Sequence, residues 1–351
     1  MTLASAGRRQ MARVMVAMSG GVDSSVAAAL LVDAGHDVAG VTLKLWGGER
    51  DSGCCAVGDV EDARRVAAQL GIPHYVFNFT DDFERRVVAP YVDAYASGRT
   101  PNPCVECNRT MKWGRLLERA VQSGFDLLAT GHHARVVATV GGHALYRGRD
   151  RAKDQSYVLY MLGGSELART LLPVGDLIKA EVRDHAARLG LRTAGKPDSQ
   201  DACFVARSDR GEFIRRRAGT VRGPIVDTAG EWLGEHGGVH EFTVGQRRGL
   251  GVAVGERRYV VGVDAATATV TVGSRSALLC DTVSVSALHF VAGRPEDGSR
   301  MLVQTRAHGD PAAARLEGDV VVFDALQPRV APGQIVALYE GDKVIGGGVA
   351  A

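Results

Sequence analysis

The first 130 residues alternate between short apolar runs and amphipathic stretches, and this rhythm leaves few folds open. Residues 14–18, VMVAM, read as a strand, and residues 24–34 read as a helix closed by Gly35. Residues 36–43 read as a second strand, 60–70 as a helix stopped by Gly71 and Pro73, and 74–79 as a third strand. Helices over 82–96 and 110–123 follow, and then a strand over 125–130 that runs into Gly131-His132-His133. Strand, helix, strand at these spacings requires right-handed crossovers and a parallel sheet covered on both faces, a doubly wound α/β domain. Such sheets bind ligands at the carboxyl ends of their strands. Three polar stretches lie at such ends: residues 19–25, 43–46 and 131–133.

The texture changes after about Phe204. Once the basic stretch 211–217 has passed, short runs separated by turn residues take over at 223–227, 239–244, 258–264 and 269–272. More follow at 282–288, 301–306, 312–316, 319–323, 335–339 and 344–349. They predict a small mixed or β module and then a C-terminal β-barrel. The expected division is a leader over 1–10, a nucleotide-binding catalytic domain over 11–205, a small central domain over 206–277 and a barrel over 278–351. Met11 is a candidate alternative start. The 351 residues suit two or three domains, and 45% of them are apolar, enough for a sizeable core. The formal charge of +2 neither requires nor excludes a nucleic-acid partner. No apolar stretch has the length of a membrane span, and the expected location is the cytoplasm. The six cysteines are Cys54, Cys55, Cys104, Cys107, Cys203 and Cys280. At this length and in that compartment, a structural disulfide framework is not expected.

SGGVDSS, residues 19–25, follows the first strand directly. Gly20 and Gly21 let the main chain approach a ligand, the helix N-terminus offers unpaired N–H groups, and Ser19, Ser24 and Ser25 add hydroxyls. The sum is a phosphate cradle. Asp23 belongs in it only if it orients the loop or holds Mg²⁺. A Walker A loop would place a lysine after its glycines, and none is present here. The loop resembles the SGG-x-D-S signature of the PP-loop ATP pyrophosphatases, which cleave ATP between the α- and β-phosphates. The bland alternative, a turn that merely caps a helix, does not account for six matched positions directly after a strand.

Two further stretches carry thiols. In GRTPNPCVECNRTMKW, residues 98–113, two prolines stiffen a loop and Cys104 and Cys107 form a C-x-x-C leading into a helix. A thiol near a helix N-terminus has a larger thiolate fraction. In GKPDSQDACF, residues 195–204, Cys203 follows Asp198, Ser199, Gln200 and Asp201.

Together with TGHHAR (130–135), KDQSYVLY (153–160), FTVGQRRGLG (242–251) and APGQ (331–334), these segments resemble the bacterial and organellar tRNA-specific 2-thiouridylases in the family's order. The resemblance runs from about Val14 to the C-terminus. It implies ATP-dependent 2-thiolation of the wobble uridine of tRNA, with AMP and pyrophosphate as products. It implies an ATP site at Ala17, Met18, Ser19, Gly20, Gly21, Val22, Asp23 and Ser24, with Leu43 against the adenine and a backbone contact from Gly131. Catalysis falls to Cys107 and Cys203, joined by a transient disulfide. Asn102, Pro103 and Cys104 would meet the target base. His132, Lys153, Asp154, Gln155, Arg306 and Gln334 would contact tRNA. The implied cofactors and partners are ATP with Mg²⁺, the tRNAs for lysine, glutamate and glutamine, and a cysteine desulfurase or sulfur-relay protein.

In the implied chemistry, adenylation turns the uracil O2 into a leaving group and a Cys203 persulfide delivers sulfur to C2, with Cys107 either cleaving that persulfide to release hydrosulfide or resolving the attached sulfur, and a Cys107–Cys203 disulfide left behind. The base must leave its stack to be reached. Cys104 stands where some relatives have aspartate, which puts an acid/base role there in doubt. Cys104, Cys107 and Cys203 together could instead hold a [4Fe-4S] cluster. Ala307 stands where the family often has an aromatic residue. Rival readings are another PP-loop ligase acting on a small molecule, and a C-x-x-C metal-binding RNA module without catalysis. Cys54, Cys55 and Cys280 read as packing or surface thiols, and Arg215-Arg216-Arg217 as an exposed helical face that could meet phosphates.

Overall fold

The computed structural model describes residues 11–47, 57–198, 202–206, 208–252, 257–307 and 309–351. The expected leader, Cys54, Cys55 and residues Ser199, Gln200 and Asp201 lie outside the described residues.

The first sheet is fully parallel. Its strands are β1 (Arg13–Ala17), β2 (Asp37–Lys44), β3 (His74–Asn78), β4 (Leu127–Thr130) and β7 (Thr170–Leu171), in the order β3-β2-β1-β4-β7. β1 lies in the middle with both faces covered, which explains why it reads as an unbroken apolar run. Val14 and Val16 enter one core, with Val26 and Ala27 of helix Val22–Asp33 and Val182 and Ala186 of helix Lys179–Arg188. Met15 enters the opposite core, with Phe83, Tyr91, Met111 and Leu116. The order reverses between β1 and β4, so the crevice at their carboxyl ends is the topological switch point.

The helix expected over 110–123 starts earlier. It runs without a break through Pro103–Glu106, Cys107–Leu116 and Leu117–Gln122, and the middle segment is π-helical. Asn102 is its N-cap: the side-chain carbonyl accepts the Cys104 N–H at 3.1 Å, and Pro103 occupies the first turn. Cys104 and Cys107 therefore stand inside the first two turns of the helix.

The hairpin β5 (Ala134–Thr139) and β6 (Gly142–Arg147) does not join the first sheet. β6 pairs with the last strand of the chain, at Lys343 and Tyr146. The middle module is a four-stranded sheet of β8 (Gly223–Val226), β9 (Trp232–His236), β10 (Tyr259–Asp264) and β11 (Thr269–Gly273), in the order β10-β11-β8-β9. The strand expected over 239–244 is a 3₁₀ turn, Val239–Glu241. Val239, His240 and Phe242 are buried while Glu241 is exposed, so two adjacent side chains turn inward there, as a tight turn allows and a strand's alternation does not. The C-terminal six strands, β12 (Leu279–Phe290), β13 (Arg300–Gln304), β14 (Ala312–Glu317), β15 (Val320–Pro328), β16 (Ile335–Glu340) and β17 (Lys343–Ala350), close into an antiparallel barrel through the β12–β17 pairing. Among the described residues no helix is long and apolar enough to cross a membrane.

Candidate active site

At the end of β1 the chain turns through Ser19 and Gly20 into helix Val22–Asp33. Gly20 has φ +73°, and a Cβ there would lie 2.2 Å from the Asp59 carbonyl oxygen. The glycine thus serves both a left-handed turn and a close backbone approach. Gly131, at the end of β4, fits against the same loop: a Cβ on it would meet the Ser24 nitrogen at 2.6 Å. Ser24 ties the loop internally, accepting the Ser19 N–H at 3.2 Å and donating to the Gly21 carbonyl at 3.2 Å. Ser25 is fully buried and donates to the same carbonyl at 2.8 Å, so the ligand donor expected there is turned inward. Met18 is fixed by the Thr42 hydroxyl, which donates to its carbonyl at 2.8 Å, and Leu43 lies buried at the end of β2.

Charge surrounds this loop from elements distant in sequence. Lys179, at the start of helix Lys179–Arg188, donates to both Asp23 carboxylate oxygens at 2.8 Å. The same ammonium lies 2.8 Å from Asp198, which also receives Lys153 and Arg183 at 2.9 Å each. Burial opposes ionisation of Asp198, but the hydrogen bonds from Lys179 and then Lys153 outweigh it and hold the carboxyl at about 2. Asp23 is likewise held below the ordinary carboxylate range: burial raises it, and His133 and Lys179 more than reverse that. His133 donates from Nε2 to Asp23 at 3.0 Å. On the other flank, Lys196 donates to the Gly20 carbonyl at 3.0 Å and pairs with Asp59 and Asp62. Lys179 and Asp59 do not stand out in the sequence, and Lys196, though inside GKPDSQDACF, shows no role there, because a salt bridge across more than 100 residues leaves no local pattern.

The positions expected to touch tRNA separate by environment. Lys153 is partly exposed. Asp154 is turned inward, accepting the Gly148 and Ser156 N–H groups. The Gln155 side-chain carbonyl accepts the His133 N–H at 2.9 Å. His132 is buried, with Nδ1 2.7 Å from the Thr130 hydroxyl and Nε2 3.3 Å from the Lys112 ammonium. Burial and then Lys112 push its pKa well below the ordinary histidine value. The ammonium can only donate, so Nε2 accepts and Nδ1 carries the proton. As placed, His132 has both ring nitrogens engaged within the protein.

Cys107 is buried and Cys203 half-buried, and both pack on one apolar cluster. Cys104 is exposed and lies beside Tyr91. Phe204, directly after Cys203, is held by the rings of Trp46, Phe83, Tyr91 and Phe213, with centroids 5.2–5.9 Å away. Arg217 stacks on Trp46 and Phe213 and pairs with Glu84, while Arg215 and Arg216 share Glu212. The basic stretch is therefore largely engaged within the protein.

The thiol loop, residues 98–102, is fastened to the other two modules. Thr100 donates its N–H to the Pro332 carbonyl at 2.7 Å and accepts the Gln334 amide at 2.6 Å, and its hydroxyl lies 3.3 Å from that of Thr243. Beside it opens a cleft of about 930 Å³, where all three modules meet. Ala202, Tyr91 and Thr100 line it from the first module, Thr243 to Arg248 from the second, and Arg306, Arg329 and Gln334 from the third. Among the described residues, five arginines, at 210, 247, 248, 306 and 329, line it together with one carboxylate, that of Glu241. FTVGQRRGLG and APGQ are thus the walls of one opening.

Three family models cover the chain: tRNA methyl transferase HUP domain over residues 12–207, tRNA methyl transferase PRC-barrel domain over 211–274, and Aminomethyltransferase beta-barrel domain over 280–350. The chain is 48% identical to a tRNA-specific 2-thiouridylase MnmA of Roseiflexus sp., across 96% of this chain and 99% of that one. It is 48% identical to proteins of the same description from Chloroflexus aurantiacus, over 96% and 98%, and Mycolicibacterium paratuberculosis, over 95% and 97%.

Proposed function

This chain belongs to the tRNA-specific 2-thiouridylase family and is an enzyme of ATP-dependent tRNA uridine thiolation, and from that premise we propose how its residues divide the work. The loop from Ala17 to Ser24 holds the phosphates of ATP, with Leu43 and Gly131 bounding the nucleotide. Asp23 is the carboxylate for Mg²⁺. An ionised carboxylate has about four lone-pair sites, so Asp23 can accept a hydrated cation and keep Lys179 and His133. Bound there, the cation would screen phosphate charge.

The wobble uridine enters the 930 Å³ cleft, where the arginines take the flanking phosphates. Asn102, Pro103 and Cys104 form the rim that the base meets. Its O2 attacks the α-phosphorus, and pyrophosphate departs. The terminal sulfur of a Cys203 persulfide then adds to C2 and AMP leaves. Cys107 attacks the Cys203 sulfur, which breaks the S–S bond and leaves 2-thiouridine and a Cys107–Cys203 disulfide. An external dithiol reduces that disulfide. Asp154 and Gln155 act by shaping the turn that presents Lys153, and His132 by holding Lys112, rather than by touching RNA as placed.

One observation carries the reading: the thiol loop, the Cys203 segment and the two β modules converge on a single arginine-lined cleft. A small-molecule ligase has no use for such an opening. Among the described residues no group of three His, Cys, Asp or Glu side chains is gathered to hold a metal, so Cys104, Cys107 and Cys203 as placed do not fit a cluster. The reaction would run in the cytoplasm on tRNAs for lysine, glutamate and glutamine, fed by a cysteine desulfurase or relay protein. The test is incubation with ATP, Mg²⁺, a sulfur donor and unmodified tRNA, read by retarded migration on a mercury-containing gel. Cys203→Ser is expected to abolish the shift. Thiolation surviving that change, or ADP as the nucleotide product, would refute the scheme.

A further inference from the structure

The phosphate loop contains no lysine, and its one charged side chain, Asp23, has the wrong sign for its ligand. A triphosphate set against that carboxylate would be repelled, and a cation held on Asp23 would screen only part of the charge that the backbone N–H groups must otherwise offset. The fold supplies cations from outside the loop. Lys196 is a buttress: it donates to the Gly20 carbonyl and two carboxylates, Asp59 and Asp62, which accounts for its three N–H groups. Lys179 stands differently. Its ammonium is largely buried, bridges Asp23 in the loop to Asp198 outside it, and so holds two acids with one positive charge. Asp198 does not depend on it, since Lys153 and Arg183 sit on the same carboxylate at 2.9 Å each.

We propose that Lys179 is the phosphate-binding cation of this site: it keeps Asp23 and exchanges Asp198 for an oxygen of the β- or γ-phosphate when nucleotide binds. The lysine that a Walker A loop carries in its own sequence is here delivered by a helix some 155 residues downstream, an interval read from the residue numbers 23 and 179. The assignment rests on the reading of residues 19–24 as the phosphate loop. AMP lacks the phosphates that Lys179 would reach, so it should leave the Lys179–Asp198 pair closed.

Binding of ATP, pyrophosphate and AMP to the full chain, measured by titration calorimetry with Mg²⁺, tests this. Lys179→Met should weaken ATP and pyrophosphate by roughly ten- to a hundredfold, the range of a lost charge-assisted hydrogen bond, and leave AMP within about twofold. Lys179→Arg should recover most of the loss. Asp198→Asn, which removes the competing acid, should tighten pyrophosphate several-fold, an effect that a merely structural role would not produce. The proposal is overturned if Lys179→Met binds pyrophosphate like the wild type, if AMP affinity falls in parallel with ATP, or if Asp198→Asn weakens pyrophosphate. If the wild type binds neither ATP nor pyrophosphate, the phosphate-loop reading itself fails.

Discussion

At the scale of single residues, the site works by assigning each charged or reactive side chain a neighbour that fixes its state. Asp198 is the clearest case. Its carboxyl is held at about 2, below its ordinary 3.8, so its ion pairs stabilise the fold fully above about pH 4 and are lost as pH falls toward 2. Asp198→Asn should therefore be less stable than the wild type at pH 7, and urea unfolding curves of the two should converge near pH 2. A gap that persisted at pH 2 would mean that shape, not charge, is what Asp198 supplies. Phe204 is a second case. It fixes the segment carrying Cys203 by filling a space among four rings. Phe204→Ala should cost about 3–5 kcal/mol, seen as a lowered unfolding midpoint, and should raise the rate at which Cys203 is alkylated.

At the scale of elements, the pattern in the sequence carries the parallel sheet and the barrel strands, because both depend on local apolar periodicity. It places the helix after the C-x-x-C seven residues late, at 110 rather than 103, because Pro101 and Pro103 read as loop stiffeners and mask Asn102 as the cap. The run at 239–244 looks like a strand because valine and phenylalanine favour one; the burial of both Val239 and His240, which alternation would not give, appears only once the module is packed. The loop and the thiols are legible as motifs. The lysines beside them are not, because their partners are remote in the chain. Contacts between elements also give the glycine of APGQ its reason. Gly333 has φ +89°, and a Cβ on it would lie 3.0 Å from the Thr100 nitrogen. Gly333→Ala should cost about 1–3 kcal/mol and displace the thiol loop. The expected result is a lower melting temperature and slower thiolation, with ATP affinity unchanged by calorimetry; weakened ATP binding would show that the strain spreads to the nucleotide site.

At the scale of the whole molecule, the cleft exists only because three modules meet, so RNA affinity should depend on residues far from either cysteine. Replacing Arg247 and Arg248 together by alanine should weaken tRNA binding and lower the slope of log affinity against log salt by roughly 0.7–0.9 for each phosphate that is no longer neutralised. An unchanged slope in filter binding would remove them from the interface. The hairpin β5–β6 extends the same dependence to biosynthesis. Made before the middle of the chain, it waits for its edge partner until β17 is synthesised, when Tyr146 meets Lys343, adding to the contacts of Arg147 with Gln304, with the Asp342 carbonyl and, at 4.4 Å, with the Tyr339 ring. A chain that stopped short of Lys343 would keep its nucleotide loop while its early hairpin still displayed an unsatisfied edge, an invitation to proteases and to clumping.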